Sequence, residues 1–284
     1  MVNYRGILYV VDNGLIEQAK RTKMLATNSI ASDQASLDKL MQEYSNIMAE
    51  DSEISGPGEG GGDTGEETPP SIPETDSYVG YYADVDGDRA PDGIIYADLA
   101  VGGSGTGLGQ AYTIPNEGGF RTFKKYEVTG TYSGNFGSGN IIAVMDGSEG
   151  DERFYVMALS DIVGGNQSFW GSSSTGSIVT STDFGTGEAN TAAMMAKGSS
   201  GLWGQITNQV ANGWYVPSRD EWVVFAGELG IYRGNYSSKG LSDRYWSSSQ
   251  STTRNAWIAY LSADGFDSYS MVNVGRPVRL GTTF

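Results

Sequence analysis

The chain of 284 residues has no cysteine and no histidine. Without thiols there is no disulfide framework, no thiolate nucleophile and no Cys-ligated zinc or iron–sulfur centre. Without imidazole there is no Ser-His-Asp triad, no His-bound metal and no side chain whose ordinary pKa lies near neutrality. Cations are scarce too: 18 Lys and Arg stand against 34 Asp and Glu, a formal charge of -16. That charge repels phosphate backbones and anionic lipid, and no Lys/Arg-rich stripe counters it, so nucleic acid is not expected as a partner. Long apolar runs are missing as well. Ile7 to Val11 is too short for a signal-peptide core or a bilayer span, so neither a leader nor direct membrane insertion is expected. Carboxylate, Lys and Tyr chemistry is what composition leaves open.

Three segments follow from what is present. Residues 15 to 50 lack Pro and have apolar side chains at alternating steps of three and four. Ala26, Ile30, Leu37, Leu40, Tyr44 and Ile47 form a heptad seam interrupted by Asp33. The N-terminal segment 1–50 is expected to anchor or oligomerise the protein through this helix, as a short coiled coil or as an amphipathic helix packed on its own domain or on a particle protein. From Asp51 to Ser77, Pro57, Pro69, Pro70 and Pro73 lie among Gly58, Gly60 to Gly62 and acidic residues, with no Lys or Arg. This reads as a disordered, extended acidic linker. From residue 78 to 284 short runs of strand character alternate with Gly-rich turns: Tyr78 to Val85, Gly93 to Leu99, Lys124 to Thr129, Ile141 to Met145 and Arg153 to Leu159. A capping box, Ser218-Arg219-Asp220-Glu221, starts a helix that runs to Leu229, with Gly230 as its stop. A second, weaker helix is expected around Thr191 to Lys197 or Leu202 to Val210. The fold class is therefore α+β, with short antiparallel strands, few helices and long Gly-rich loops.

Asp84, Asp86, Asp88 and Asp92 alternate through a Gly-containing turn flanked by strand-like residues. The loop is either a structural Ca²⁺ site or an acidic turn that binds nothing; an EF-hand would need Glu where Ile95 stands. No cofactor is expected, unless this loop holds Ca²⁺. Gly102 to Gly109 resembles a phosphate cradle only superficially, because no Gly-Lys-Ser/Thr and no amphipathic helix follow, and it is expected to be a flexible loop. The serines at 172 to 174 and 247 to 249 lack an imidazole base and are expected to bond backbone in turns.

The C-terminal region carries an ordered set of motifs: Gly213-Trp214-Tyr215-Val216-Pro217-Ser218-Arg219-Asp220-Glu221-Trp222, then Tyr245-Trp246-Ser247-Ser248-Ser249, Ala256-Trp257, and Arg276-Pro277-Val278-Arg279. Over residues 180 to 284 this order resembles the formylglycine-generating-enzyme type of C-type lectin fold, specifically the variable proteins of diversity-generating retroelements. The resemblance implies a C-type-lectin-like domain at 78–284 whose variable region, about 245–279, is rewritten by an error-prone reverse transcriptase acting at template adenines. Trp codons contain no adenine. Trp214, Trp222, Trp246 and Trp257 would then be scaffold, with Arg276 and Arg279 bonding backbone carbonyls or carboxylates such as Asp220 or Glu221. The oxidase of that family works through active-site cysteines, so its activity is not implied here.

Between Ser249 and Asn273 the composition is rich in Ser, Thr, Tyr and Asn with neither Lys nor Glu, as in a paratope. Tyr260, Phe266, Tyr269 and Arg254 are the expected anchors. Ser251, Thr252, Asn255, Ile258, Asp267, Ser268, Ser270 and Asn273 would shape the rest. The competing reading makes Trp257, Ile258, Tyr260 and Phe266 core residues of an edge hairpin, since alternation buries every second side chain. The expected function is adhesion without catalysis, to a host or cell-surface protein or glycan, from the surface of a virus particle or cell, with homo-oligomerisation through the N-terminal helix. A fixed-specificity lectin-like adhesin is the alternative, and a carboxylate-based glycosidase is a third from another class.

Overall fold

The computed structural model describes residues 2–4, 7–9, 71–107, 110–114, 121–162, 168–171, 178–198, 200–262 and 268–284. The helix expected over 15–50, the linker from 51 to 70 and the serines at 172–174 lie outside the described residues. Two compact units are present, Met1–Thr68 and Pro69–Phe284. In the first, β1 (Val2–Tyr4) and β2 (Ile7–Tyr9) pair as an antiparallel hairpin that precedes the stretch read as helix.

The second unit is α+β, mostly strands with four α-helices among the described residues. Its main sheet comprises β3 (Tyr82–Ala83), β4 (Gly93–Asp98), β7 (Tyr126–Gly134), β8 (Gly137–Val144), β9 (Phe154–Ala158) and β15 (Gly281–Thr283). The spatial order is β15-β9-β4-β3-β8-β7, antiparallel except where β3 lies parallel to β8. β4 is buried along its whole length because both sheet faces are covered. Ile94, Tyr96 and Ala97 join one core cluster while Ile95 joins another, and a register shift between Ile95 and Ala97 lets adjacent residues share a face. Gly93 is required where it stands: any Cβ there would run into the Val156 side chain and the Met157 carbonyl.

β5 (Gly103–Gly107) and β6 (Gln110–Ile114) pair residue for residue, so the Gly-rich stretch expected to be a flexible loop is a hairpin. Where one second helix is expected from the sequence, both alternative stretches are helical, as α1 (Gly187–Lys197) and as a broken pair, α2 (Leu202–Gln205) and α3 (Thr207–Ala211). α4 (Arg219–Glu228) starts at the expected capping box. It lies against β4 and the β5–β6 hairpin on one side and, on the other, the second sheet. That sheet is three-stranded, formed by β11 (Arg244–Thr252), β12 (Asn255–Tyr260) and β13 (Ser268–Met271) in chain order. A two-stranded ladder of β10 (Ser168–Phe169) and β14 (Gly275–Arg276) completes the unit.

Residues 71–77, assigned above to the linker, are tied to the domain through their backbone, and Ile72 packs against its core. Ile72 donates its N–H to the Tyr126 carbonyl at 2.7 Å. The buried Arg153 guanidinium accounts for the rest. It grips the equally buried Asp98 through Nε–Oδ1 at 2.8 Å and Nη2–Oδ2 at 2.9 Å, and donates to the carbonyls of Pro73, Glu74 and Asp76. It also lies over the rings of Tyr78 and Phe154. Asp98 in turn accepts from the Tyr78 and Ala100 amides. A desolvated ion pair is tolerated when its remaining donors and acceptors are satisfied, as here.

Losing one partner strands the other charge in the core. Arg153→Met and Asp98→Asn are each expected to destabilise the domain by about 3–5 kcal/mol, and the double variant by less than their sum. The check is the urea unfolding midpoint, and a wild-type midpoint in either single variant would show the clamp to be dispensable.

Candidate functional site

The small sheet has two unlike faces. In register, Trp246 faces Ile258, Ala256 faces Ser270, Trp257 faces Tyr269 and Asn255 faces Met271. Trp246, Ala256, Ile258 and Val272 point inward to a core shared with Trp170, Met194, Leu202, Trp203 and Val278. Trp257, Tyr269 and Met271 point the other way. Tyr269 is 58% and Met271 55% exposed, and the Tyr269 ring meets Trp257 edge-on at 6.1 Å. Arg219, the first residue of α4, lies 5.3 Å from the Trp257 ring centroid and bonds Asp220 at 2.7 Å.

This geometry re-sorts the sequence-derived residues. Ile258 is 2% exposed and belongs to the core, so its assignment to the ligand face is corrected: the phase of β12 turns its even-numbered side chains at 256 and 258 inward. Ser270 is buried as well and accepts a hydrogen bond from Arg276 Nη2 at 3.3 Å. Thr252, Arg254 and Asn273 are exposed, and Ser251 and Asn255 half-buried. The Thr252 hydroxyl accepts the Arg254 and Asn255 amides and so shapes the β11–β12 turn. Tyr260 is half-buried beneath Arg244, which donates to its hydroxyl at 2.6 Å and covers its ring at 4.2 Å. That hydrogen bond holds the Tyr260 phenol below its usual range. Phe266 and Asp267 lie outside the described residues, as does the Ser268 side chain. Arg219 and Met271 were missed; strand alternation from Tyr269 points to Met271, whereas Arg219 reaches the face from a distant helix.

Of the scaffold set, Trp222 and Trp246 are fully buried, while Trp214 and Trp257 are half-buried. Trp222 stacks on Tyr245 and donates its indole N–H to the Trp246 carbonyl. Arg279 bonds Asp161 Oδ1 at 2.8 Å and the Gly240 carbonyl at 2.9 Å, not Asp220 or Glu221. Ser247 and Ser249 do bond backbone, yet from within β11 and not from a turn: Ser247 donates to the Trp257 carbonyl and Ser249 to that of Ser181, whereas the Ser248 hydroxyl accepts from Asn190 Nδ2 at 3.2 Å.

What holds β11 in place is the start of α4. Ser218 and Glu221 cap each other's amides at 3.2 and 2.6 Å, and the Ser218 hydroxyl donates to the Asp183 carbonyl. The Arg219 amide donates to Ser249 Oγ, and the Ser248 amide to the Pro217 carbonyl. Glu221 also accepts from the Gly187 amide, the first of α1, and from the Tyr215 hydroxyl at 3.5 Å. A Cβ at Gly187 would collide with the Glu221 carboxylate, which explains that glycine.

The acidic loop joins β3 to β4 as a hairpin. One carboxylate oxygen each from Asp84, Asp86 and Asp88 can lie within 4.8 Å of the others, an arrangement open to a cation. Asp92 stands outside that trio and closes the loop's neck, accepting the Val85 and Asp86 amides. Asp84 accepts from Gly87 and Arg89, the latter at φ 69°. Compared with protein family models, curated proteins and solved structures, the chain matches none.

Burial pushes the Glu221 carboxyl up to about 7 from an ordinary 4.5, despite its hydrogen bonds. The folded chain therefore holds a proton that the unfolded chain has released between these two values, so stability falls as pH rises through that window. Thermal unfolding from pH 5 to 8 should show this decline in the wild type and lose it in Glu221→Gln, whose amide oxygen can still accept from Ser218; identical pH profiles would contradict the assignment.

Proposed function

We propose that the Pro69–Phe284 unit is a non-catalytic ligand-binding domain whose contact surface is the outward face of β12 and β13. The observation that carries this reading is the pair Tyr269 and Met271, large apolar side chains more than half exposed on alternate positions of one strand, opposite Trp257 and Asn255. Exposed aromatic, Met and Arg side chains are the types that anchor protein interfaces, and Lys and Glu are absent from 249 to 273. Water contact costs such residues free energy that a bound partner would return.

The finer reading is a diversity-generating retroelement variable protein with a C-type-lectin-like fold. It is supported by the motif order given above and by the division of labour within the small sheet. Inward residues are tied to tryptophans and buried serines, so outward replacements leave the core unchanged. The N-terminal segment would anchor or oligomerise the protein on a virus particle or cell, the linker would give reach, and several weak contacts would add up to firm attachment. The ligand would be a host or cell-surface protein or glycan. Among the described residues, no helix is long and apolar enough to cross a membrane. A cation at Asp84, Asp86 and Asp88 would brace the β3–β4 hairpin without chemistry.

The coding DNA near this gene should hold a near-copy of the 245–279 segment that differs only at adenines. Its absence would leave a binder of fixed specificity. Replacing Tyr269 and Met271 together by Ala should abolish capture from cell-surface extracts while shifting stability by about 0.5 kcal/mol or less, as exposed sites do. Ile258→Ala should behave oppositely, costing about 2–5 kcal/mol of stability; unchanged capture by the double variant would move the contact surface elsewhere.

A further inference from the structure

A second site lies apart from the β11–β13 sheet. A cavity of about 470 Å³ opens between the acidic loop and the chain around α3, lined chiefly by Asp86, Asp92, Asn208, Gln209, Asn212 and Trp214. Its volume is within the usual range for small-molecule sites, about 300–1,000 Å³. The polar lining is only partly used internally. Asp92 bonds the loop through Oδ2 and Asp86 through Oδ1, leaving one oxygen of each without a partner among the described residues. Asn212 donates Nδ2 to the Asn208 carbonyl, which orients its carboxamide and leaves its oxygen available. The Asn208 carboxamide makes no hydrogen bond among the described residues, and Gln209 Oε1 is buried without one. The Trp214 amide is held by the Gln209 carbonyl at 3.0 Å, and the half-buried Trp214 lines the cavity.

The chemistry of this lining selects its occupant. Two carboxylates and no Lys or Arg reject an anion. A purely apolar ligand would leave the carboxylates and carboxamides desolvated and unpaired. Of the two lining carboxylates, Asp86 belongs to the Asp84, Asp86 and Asp88 trio open to a cation and Asp92 does not, so a metal ion on the loop would leave the cavity itself unfilled. Planar carboxylate and carboxamide groups suit a ligand with neighbouring hydroxyl donors, and an indole face suits one with a flat C–H surface. Both properties belong to a sugar ring. We propose that this cavity binds a ring of a neutral saccharide, independently of the ligand face on β12 and β13. An adjoining cavity of about 280 Å³ shares Val85 and Asn212, and its one cation, Lys124, is already neutralised by Glu152 at 2.7 Å. It gives a second ring somewhere to lie.

The test is titration of the full chain with galactose, mannose and N-acetylglucosamine in the presence of EDTA, read by NMR of the six indole N–H signals. The Trp214 signal, identified by its disappearance in Trp214→Phe, should shift saturably with at least one of these sugars. Asn208→Ala, on an exposed position, should weaken that binding about tenfold at unchanged melting temperature. The Tyr269→Ala/Met271→Ala variant should bind sugar as the wild type does, which separates this site from the proposed ligand face. No saturable shift at sugar concentrations well above about 1 mM would overturn the proposal. So would a response that requires Ca²⁺, because it would transfer recognition to a cation on the aspartate loop, or undiminished binding in Asn208→Ala.

Discussion

A carboxylate sealed from water, that of Glu221, sets the geometry on which the rest of the domain depends. It takes up the amide of Ser218 at the head of α4 and that of Gly187 at the head of α1, with the Tyr215 hydroxyl closing over it. Helix N-termini favour negative charge, and two of them converging on one group offset part of the cost of burying it. The consequence is positional. Once both helices are referred to the same oxygen pair, the stretch from Tyr215 to Trp222 has little freedom, and it is this stretch that meets β15 through Gly281 and β11 through Ser248 and Ser249.

From that hub the two sheets acquire different tasks. The main sheet is buried on both faces at β4 and works as a wall. The small sheet is buried on one face only, where Trp246 and Ile258 pack with Trp170 and Trp203. The Trp170 and Trp222 indoles donate to the Ser247 and Trp246 carbonyls of β11 and the Ser247 hydroxyl to the Trp257 carbonyl of β12, which pins strand register without involving the outer side chains. An outer face held this way can change its side chains with little effect on the fold, since none of them takes part in the ladder that supports them.

The parts of this arrangement that were readable in the sequence are those governed by local chemistry. Ser218 and Glu221 stand at capping-box spacing, and the helix begins there. The strands near Gly93, Ile141 and Arg153 follow from β-branched and aromatic runs between turns. What escaped reading depends on partners far along the chain. Alternation reveals the period of β12 but not its phase, and the phase decides that Ile258 goes in while Trp257 comes out. Gly103 to Gly107 has little intrinsic strand preference and owes its conformation to β6 and to the α4 surface nearby. Residues 71–77 have the composition of a spacer, and nothing local announces that a guanidinium 80 positions later binds their carbonyls.

That guanidinium also determines how the domain would respond to force. Three carbonyls in the span from Pro73 to Asp76 converge on Arg153, which immediately precedes β9, the strand between β15 and β4. A pull on the chain ahead of Ile72 thus meets the single Ile72–Tyr126 bond to β7 and then a desolvated ion pair, where tension must break several charge-assisted bonds together. A protein held by its N-terminal side and gripping something at its far sheet would gain a mechanical fuse set inside the body of the domain.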